Sequence, residues 1–296
     1  MDRNDPGVSH LFLVAVVILW GANVAIVKSA YHDTHPVLFA AIRFTVSGIL
    51  MLGFALWRER DIRIQREHWF GLLIMGGVGI GIYQILWSLG LQRTSATNSV
   101  LIFTVQPLLG ALYVDWTKKE KVDRRRYVGM LIALAGVILV ILKPTAKLHL
   151  SKETLPGDIL NLISAACAAI FFTVWPKPLL RIYSSVRLIG YCMIIGSAVL
   201  WISILFGLRF TVFGYVGQKG WWPLFYAIFL SGIIGHTFWY EGIGRLGSTT
   251  TLLYLYFIPV WAAVFNHFFM GEKIFTQQIL GGGLILLGVH YALKEV

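Results

Sequence analysis

A shift of 152 positions lays this 296-residue sequence on itself without a gap. Trp87 falls on Trp239, Gly90 on Gly242, Arg93 on Arg245, Thr97 on Thr249, Leu101 on Leu253 and Pro107 on Pro259. Downstream, Glu120-Lys121 meets Glu272-Lys273, Gly129 meets Gly281, and Gly136-Val137 meets Gly288-Val289. Upstream, Trp69 meets Trp221. Such a repeat leaves few folds open, because the second half must take up whatever plan the first half takes. The halves divide into residues 1–147 and 148–296.

Both halves are apolar. Hydrophobic residues make up 57% of the chain and charged residues 13%, about half the charged share of a soluble domain. A helix crosses the hydrocarbon core with about 20 mostly apolar residues. The first half offers Leu11–Val27, Pro36–Trp57, Trp69–Leu91, Thr94–Val114 and Tyr127–Leu142. The second offers Ile159–Trp175, Leu188–Leu208, Trp221–Ile243, Leu246–Met270 and Ile274–Leu293. The expected fold is an all-α membrane protein of ten transmembrane helices, five per half. The runs are continuously apolar, which excludes the alternating strands of a membrane β-barrel. Leu11–Val27 holds Trp20 and Asn23 and ends in no small-x-small site, so it is expected to stay as a crossing rather than a cleaved leader. The polar stretch from Lys143 to Asp158 links the halves. Cys167 and Cys192 lie inside apolar runs and are expected as membrane-embedded small residues, not a disulfide.

The net charge of +11 sits mainly in short loops, such as RERDIRIQRE at 58–67 and KKEKVDRRR at 118–126. Membrane orientation explains basic loops of this kind, and nucleic acid is not an expected partner. With the amino terminus inside, Lys and Arg are roughly twice as frequent on the inner side as on the outer. Both termini are therefore expected in the cytoplasm. Five is an odd number, so the second half enters the membrane from the opposite side. Arg93 then lies at an outer turn and its mate Arg245 at an inner one. Inverted repeats related by a two-fold axis in the membrane plane are a recurring design of secondary transporters, with substrate near the midplane. One arrangement opens inward and its swapped counterpart opens outward at similar energy. Because one chain holds both halves, a monomer suffices.

Several features taken together resemble a known family. They are WGAN at Trp20–Asn23, the Arg43-Phe44 pair, the short turn from third to fourth helix, the mid-helix prolines Pro107 and Pro259, and the Glu-Lys then Gly…Gly-Val pattern. In two copies they are similar to the drug/metabolite transporter superfamily, and within it to the ten-helix EamA-type exporters, over residues 9–293. The resemblance implies bacterial inner-membrane export of small metabolites. Amino-acid exporters, including those for aromatic amino acids, are nearest in pattern. Other members carry nucleotide sugars, purines, phosphorylated sugars or cationic drugs, so a multidrug or nucleoside/sugar transporter of the same fold is the alternative. The partners implied are a small-molecule substrate and the lipid bilayer, with no cofactor.

No HExxH, GxxxxGK[ST] or CxxC motif is present, and no catalytic or metal-binding constellation is expected. GGVGIG at Gly76–Gly81 sits mid-crossing, where small residues let helices approach closely, and is read as packing rather than phosphate binding. Polar groups at membrane depth are costly and therefore informative. Arg43 stands alone in the second crossing. It either makes a structural ion pair or backbone cap, or provides a counter-charge for a substrate carboxylate. The resemblance, whose members keep this arginine across different substrates, favours the structural role.

Tyr83, Gln84 and Trp87 in the third helix, and His236, Trp239 and Tyr240 in the eighth, form two related stripes at helical spacing. They are expected to line a shared midplane cavity with Trp20 and Asn23, Asn98, and Asn161 as further walls. The alternative for the tryptophans is the interfacial belt, which suits Trp69, Trp221 and Trp222 and stays open for Trp87 and Trp239. His236 is either a satisfied interior donor or a proton-sensitive contact. Glu241 either pairs with Arg245 four residues on, or couples protons. Pro107 and Pro259 each remove a backbone donor and are candidate hinges. A cationic-drug exporter would want a mid-membrane carboxylate, yet Glu241 lies near the inner face. An embedded enzyme would want a His/Asp/Glu cluster, and none is evident.

Overall fold

The structure, a computed structural model, describes residues 6–31, 34–94, 96–117, 122–142, 152–206, 220–271 and 273–294. Glu120, Lys121 and Glu272 of the repeat, residues 143–151 of the linker and both chain ends lie outside the described residues. The described residues are helical with no strand among them. The runs are α1 Pro6–Ala30, α2 Pro36–Glu59, α3 Arg66–Leu91, α4 at 96–116 and α5 Arg124–Ile141. There follow α6 Leu155–Leu179, α7 Ser185–Phe206, α8 at 221–246, α9 at 248–270 and α10 Thr276–Leu293. Six of them (α2, α3, α4 from Asn98, α6, α7 and α9 to Phe269) are long and apolar enough to cross a membrane. Their outward faces carry exposed apolar groups such as Ile49, Phe54, Leu205 and Phe268.

Local chemistry sets the ends. Pro36 begins α2, and the His35 ring accepts a hydrogen bond from the Val37 N–H at 3.3 Å. Burial pushes the His35 imidazole below the usual histidine range, which keeps the ring neutral and able to accept. Gly247, alone between α8 and α9, takes φ +87°, which disfavours any side chain. Helix α6 starts earlier than the sequence suggests. Pro156 stands in its first turn and so does Asp158, a carboxylate where the helix dipole favours one.

Packing follows the repeat. Helix α5 lies antiparallel against its own mate α10, held by crossed glycines. A Cβ on Gly129 would stand 2.5 Å from the Gly288 oxygen, and one on Gly136 would stand 2.6 Å from the Gly281 oxygen. Gly129 and Gly281 are repeat mates, as are Gly136 and Gly288, so each close approach is the image of the other. Helix α2 likewise runs antiparallel to its mate α7, with Gly48 against Ile194 and Gly190 against Leu52. Other contacts come in exchanged pairs. Gly90 of α3 seats Asn161 of α6, and its mate Gly242 of α8 seats Leu13 of α1. The GGVGIG stretch packs backbone to backbone: Gly76 meets the Cys192 oxygen, Gly79 meets Phe171 and Phe172, and Gly81 meets Val199. One core of buried side chains (Leu13, Phe44, Met75, Leu188, Trp239 and Leu252 among them) runs through both halves.

We expect Gly288→Val to lower the thermal unfolding midpoint of detergent-purified protein, with a cost of at least about 1–3 kcal/mol from overpacking. Gly283→Ala, whose Cβ would meet nothing within 4 Å, should leave the midpoint unchanged. Equal effects of the two would show that the α5–α10 seam is not tight.

Candidate functional site

The site is built around α8. Between Ala227 and Gly235 this helix widens into a π-helical stretch, a form that recurs at functional sites. Widening turns backbone carbonyls out of the helical ladder, and side chains take them up. Trp20 Nε1 donates to the Ser231 oxygen at 3.2 Å, and Ser47 Oγ donates to the Ile228 oxygen at 3.1 Å. His236 Nδ1 lies 2.9 Å from the oxygens of both Ser231 and Gly232. Both are acceptors only, so Nδ1 carries the proton and Nε2 is the acceptor of the neutral ring. Helix α3 widens at the matching place, Gly77–Ile82, and α6 does so at Ala168–Val174.

Rings gather on His236. Its centroid is 5.3 Å from Trp20, 5.5 Å from Phe172 and 6.0 Å from Phe44. Trp239 lies 5.1 Å from Trp20, and Tyr240 lies 5.6 Å from Phe172. From the other side Tyr83 reaches Phe172 at 6.4 Å, while Trp87 packs on Phe103 at 4.6 Å. The two stripes expected on α3 and α8 therefore converge, but through Phe172 of α6. Gln84, the repeat mate of His236, is buried in α3 beside Tyr83. At 1% exposure Trp239 is an interior residue and not part of an interfacial belt, whereas Trp69, Trp221 and Trp222 are exposed at helix starts.

Arg43 stands beside this cluster. Its Cζ is 4.4 Å from the Phe44 ring centroid. The structural ion pair or backbone cap favoured from sequence is not found. Arg43 makes neither with any described residue, and its buried Nε has no partner. Asn23 Oδ1, Ser88 Oγ and Trp239 Nε1 are also buried without a partner. Buried donors and acceptors left open cost about 1–3 kcal/mol each, and further ones lie on α4, α6, α7 and α9.

Asn98 and Asn161 are not in the ring cluster. They belong to a second polar group where α6 meets α3 and α4. Asp158 accepts from Thr94 Oγ1 at 2.6 Å and from Asn98 Nδ2 at 3.3 Å, and Asn161 Nδ2 donates to Ser99 Oγ at 2.7 Å. Glu241 lies apart from both groups and pairs with Arg245 at 2.6 Å, both partly exposed. Pro107 and Pro259 each follow a break in their helix. Helix α4 loosens at Thr104–Val105, where Thr104 N shares Val100 and Leu101 oxygens at 3.2 Å. Helix α9 tightens to a 3₁₀ stretch at Tyr254–Phe257. Each break lies within reach of the clash a proline ring makes with the carbonyl four residues back.

Two cavities lie away from the rings. One, of about 220 Å³, is lined by Glu67, His68, Trp175 and Pro178 at the ends of α3 and α6. The other, of about 450 Å³, is an apolar cleft of α2, α7 and α8 lined by Leu50, Phe54, Val186 and Phe238. Sequence reasoning missed Phe172 and Asp158. Repeat arithmetic points to the first, since Phe172 is the mate of Trp20. Proline followed by an acid in a first helical turn points to the second.

The model described as "EamA-like transporter family" matches residues 8–142 and again 155–293. An uncharacterized transporter of Archaeoglobus fulgidus is 24% identical over 288 residues, spanning 95% of this chain and 96% of its own. The uncharacterized transporter YyaM of Bacillus subtilis is 25% identical over 281 residues, spanning 95% of this chain and 92% of its own. One solved crystal structure superposes with a TM-score of 0.83 at 18% identity, covering 98% of this chain and 97% of its own. That likeness shows the fold alone.

We expect Asp158→Ala to strand the Thr94 hydroxyl and Asn98 amide and to cost about 1–3 kcal/mol, read as a lower unfolding midpoint. Glu241→Ala, which removes a partly exposed i,i+4 pair, should cost about 0.5 kcal/mol or less. The reverse order would show that Asp158 does not tie α6 to α4.

Proposed function

We propose a transport mechanism on one premise: the chain belongs to the EamA-like transporter family of the drug/metabolite transporter superfamily. It is a multi-pass membrane transporter. In our reading all ten helical runs cross the bilayer as two inverted five-helix repeats, residues 1–147 and 148–296. The observation that carries this is the antiparallel packing of the mated helices α5 and α10, Gly129 on Gly288 and Gly136 on Gly281. Mates that pack antiparallel are related by a two-fold axis perpendicular to them, and for spanning helices that axis lies in the membrane plane. The four runs outside the apolar six, α1, α5, α8 and α10, pack against spanning helices or against each other.

The function is secondary transport by alternating access, in the direction of export, with amino acids as the leading substrate class. Support comes from Trp20, Tyr83, His236, Trp239 and Tyr240, contributed by both halves and joined through Trp20 and Phe172 around His236. Basic loops on one side support a bacterial inner-membrane location with both termini cytoplasmic. The chain acts as a monomer. His236 is the leading proton-coupling group and Glu241 the second. Pro107 and Pro259 are the hinges, supported by the helix breaks that precede them.

The test is uptake by proteoliposomes across a panel of amino acids, nucleosides and cationic dyes, with and without a pH gradient. Amino-acid uptake that the gradient accelerates is the expected result. Uptake of dyes but of no amino acid would overturn the substrate class. A gradient without effect would retire His236 and Glu241 as coupling groups. Pro107→Ala and Pro259→Ala should each slow transport roughly tenfold, about 1.4 kcal/mol of barrier; unchanged rates in both would remove the hinges.

A further inference from the structure

The cleft of about 450 Å³ between α2, α7 and α8 takes no part in the ring cluster. Its walls are apolar: Leu50 and Phe54 on α2, Val186 on α7, and Phe229 and Ile233 on α8. Thr237 is the one polar residue lining it, and the hydroxyl is already spent on the Ile233 oxygen at 2.7 Å. The cleft therefore offers little to a polar ligand, or to water, which needs two or more polar partners to settle. Leu50, Phe54 and Phe229 are each more than a third exposed, so the cleft opens on the outer surface of the bundle. Helices α2 and α7 are long and apolar enough to span a membrane. At their depth the medium outside such a cleft is hydrocarbon.

The repeat shows why there is room. Phe229 and Ile233 are the mates of Gly77 and Gly81 on α3. A Cβ on Gly81 would stand 2.7 Å from Val199 Cβ, so α3 lies flush on α7. Helix α8 touches α2 at Gly232, whose Cβ would stand 2.7 Å from Ser47 Oγ. That contact closes one end. Beyond it, toward the carboxyl ends of both helices, side chains stand where the mated helix has bare backbone, and they wall the cleft. Its α8 wall runs from Phe229 to Phe238, about two and a half turns or roughly 13 Å.

The open end is marked by a ring and a charge. Leu50, Phe54 and Arg58 succeed one another every four residues on one face of α2. Trp57 lies 5.8 Å from the Phe54 ring and is 78% exposed, as tryptophans are where hydrocarbon meets headgroups. Arg58 is exposed and pairs with no described residue. Neighbouring cations are taken: Arg187 faces Glu59 at 3.6 Å, and Arg245 faces Glu241 at 2.6 Å.

We infer that this cleft binds one acyl chain of an anionic phospholipid, with the phosphate at Arg58, in the leaflet beside the basic loop at 58–67. The site goes beyond the transport reading and requires only that these helices span the bilayer. A tail gains little by exchanging other tails for a protein wall, so preference rests on the headgroup. A basic residue beside an anionic lipid favours it by about fivefold, about 1 kcal/mol.

Full-length protein in phosphatidylcholine nanodiscs receives a trace of phosphatidylglycerol, or of phosphatidylcholine, bearing a photoactivatable diazirine midway along one chain. Mass spectrometry then locates the labelled residues. We expect the phosphatidylglycerol probe to label residues 50–54 and 229–238 about fivefold more than the phosphatidylcholine probe does. Arg58→Gln, at an exposed position, should bring the two probes level while labelling of the cleft persists. Leu50→Trp, which fills the cleft from its lipid side, should move both probes out of it; an unchanged unfolding midpoint shows that this variant folds. Labelling spread evenly over outward faces, such as those of Leu205 and Leu286, would overturn the site. Equal labelling by the two probes in the wild type, or an Arg58→Gln that keeps the fivefold preference, would overturn the anionic headgroup. Two protein chains per disc with the cleft unlabelled would overturn the lipid and give the cleft to a second copy.

Discussion

The two halves are held where backbone touches backbone. In lipid no hydrophobic drive presses helices together, so association depends on close van der Waals fit. Gly129, Gly136, Gly281 and Gly288 supply that fit by leaving no side chain between α5 and α10. Because the four are two mated pairs, one approach fixes the other. The same exchange then governs the rest of the packing. Whatever α3 does to α6, as Gly90 does to Asn161, α8 repeats on α1, as Gly242 does to Leu13. A sequence that encodes half of the contacts encodes their images too.

Close packing of glycine-rich helices has a second consequence. Helices α3 and α8 carry glycines where they meet α7, α6 and α2, and both widen to π geometry at matching positions. The carbonyls released in α8 do not stay open. Trp20 from α1, Ser47 from α2 and His236 from α8 itself bond to them. Each bond pins a side chain of the central cluster, fixing the tautomer of His236 and the tilt of the Trp20 indole. A packing device thereby becomes a positioning device. The breaks before Pro107 and Pro259 work in the opposite sense. They interrupt the ladder of α4 and α9 at mated positions.

Much of this was legible in the chain because apolar runs and the repeat are one-dimensional signals. The helical runs follow the expected crossings apart from about a turn at some ends, as α6 shows by starting at Leu155. The aromatic convergence was legible in part. Spacing placed His236, Trp239 and Tyr240 on one face, but nothing in the spacing of α3 and α8 identifies Phe172 as the ring that joins them. The partners of Asn98 and Asn161 were not legible, since depth along a helix cannot be read from residue type. Asn98 bonds Asp158, which looked like linker, and Asn161 bonds Ser99. The partnerless state of Arg43 was illegible for a different reason. An ion pair is a statement about every other helix, and only three-dimensional packing reveals that no described carboxylate arrives.

Symmetry and selectivity make opposite demands on such a chain. Two states of similar energy want matched halves, and the scaffold residues are matched: glycine with glycine, proline with proline. A substrate with one charged end wants an unmatched site. The mate of Arg43 is Ile195, which packs on Gly76, and the mate of His236 is Gln84. Arg43 thus has an apolar mate, and it lies within about a turn of the place where α2 crosses its own mate. A cation far from the axis would be exposed to one face and buried from the other, biasing the two states by the full cost of moving it. Beside the axis it stays in similar surroundings whichever half rocks. On the proposed two-fold, a charge at that position disturbs the balance of the scaffold less than one farther along α2 would.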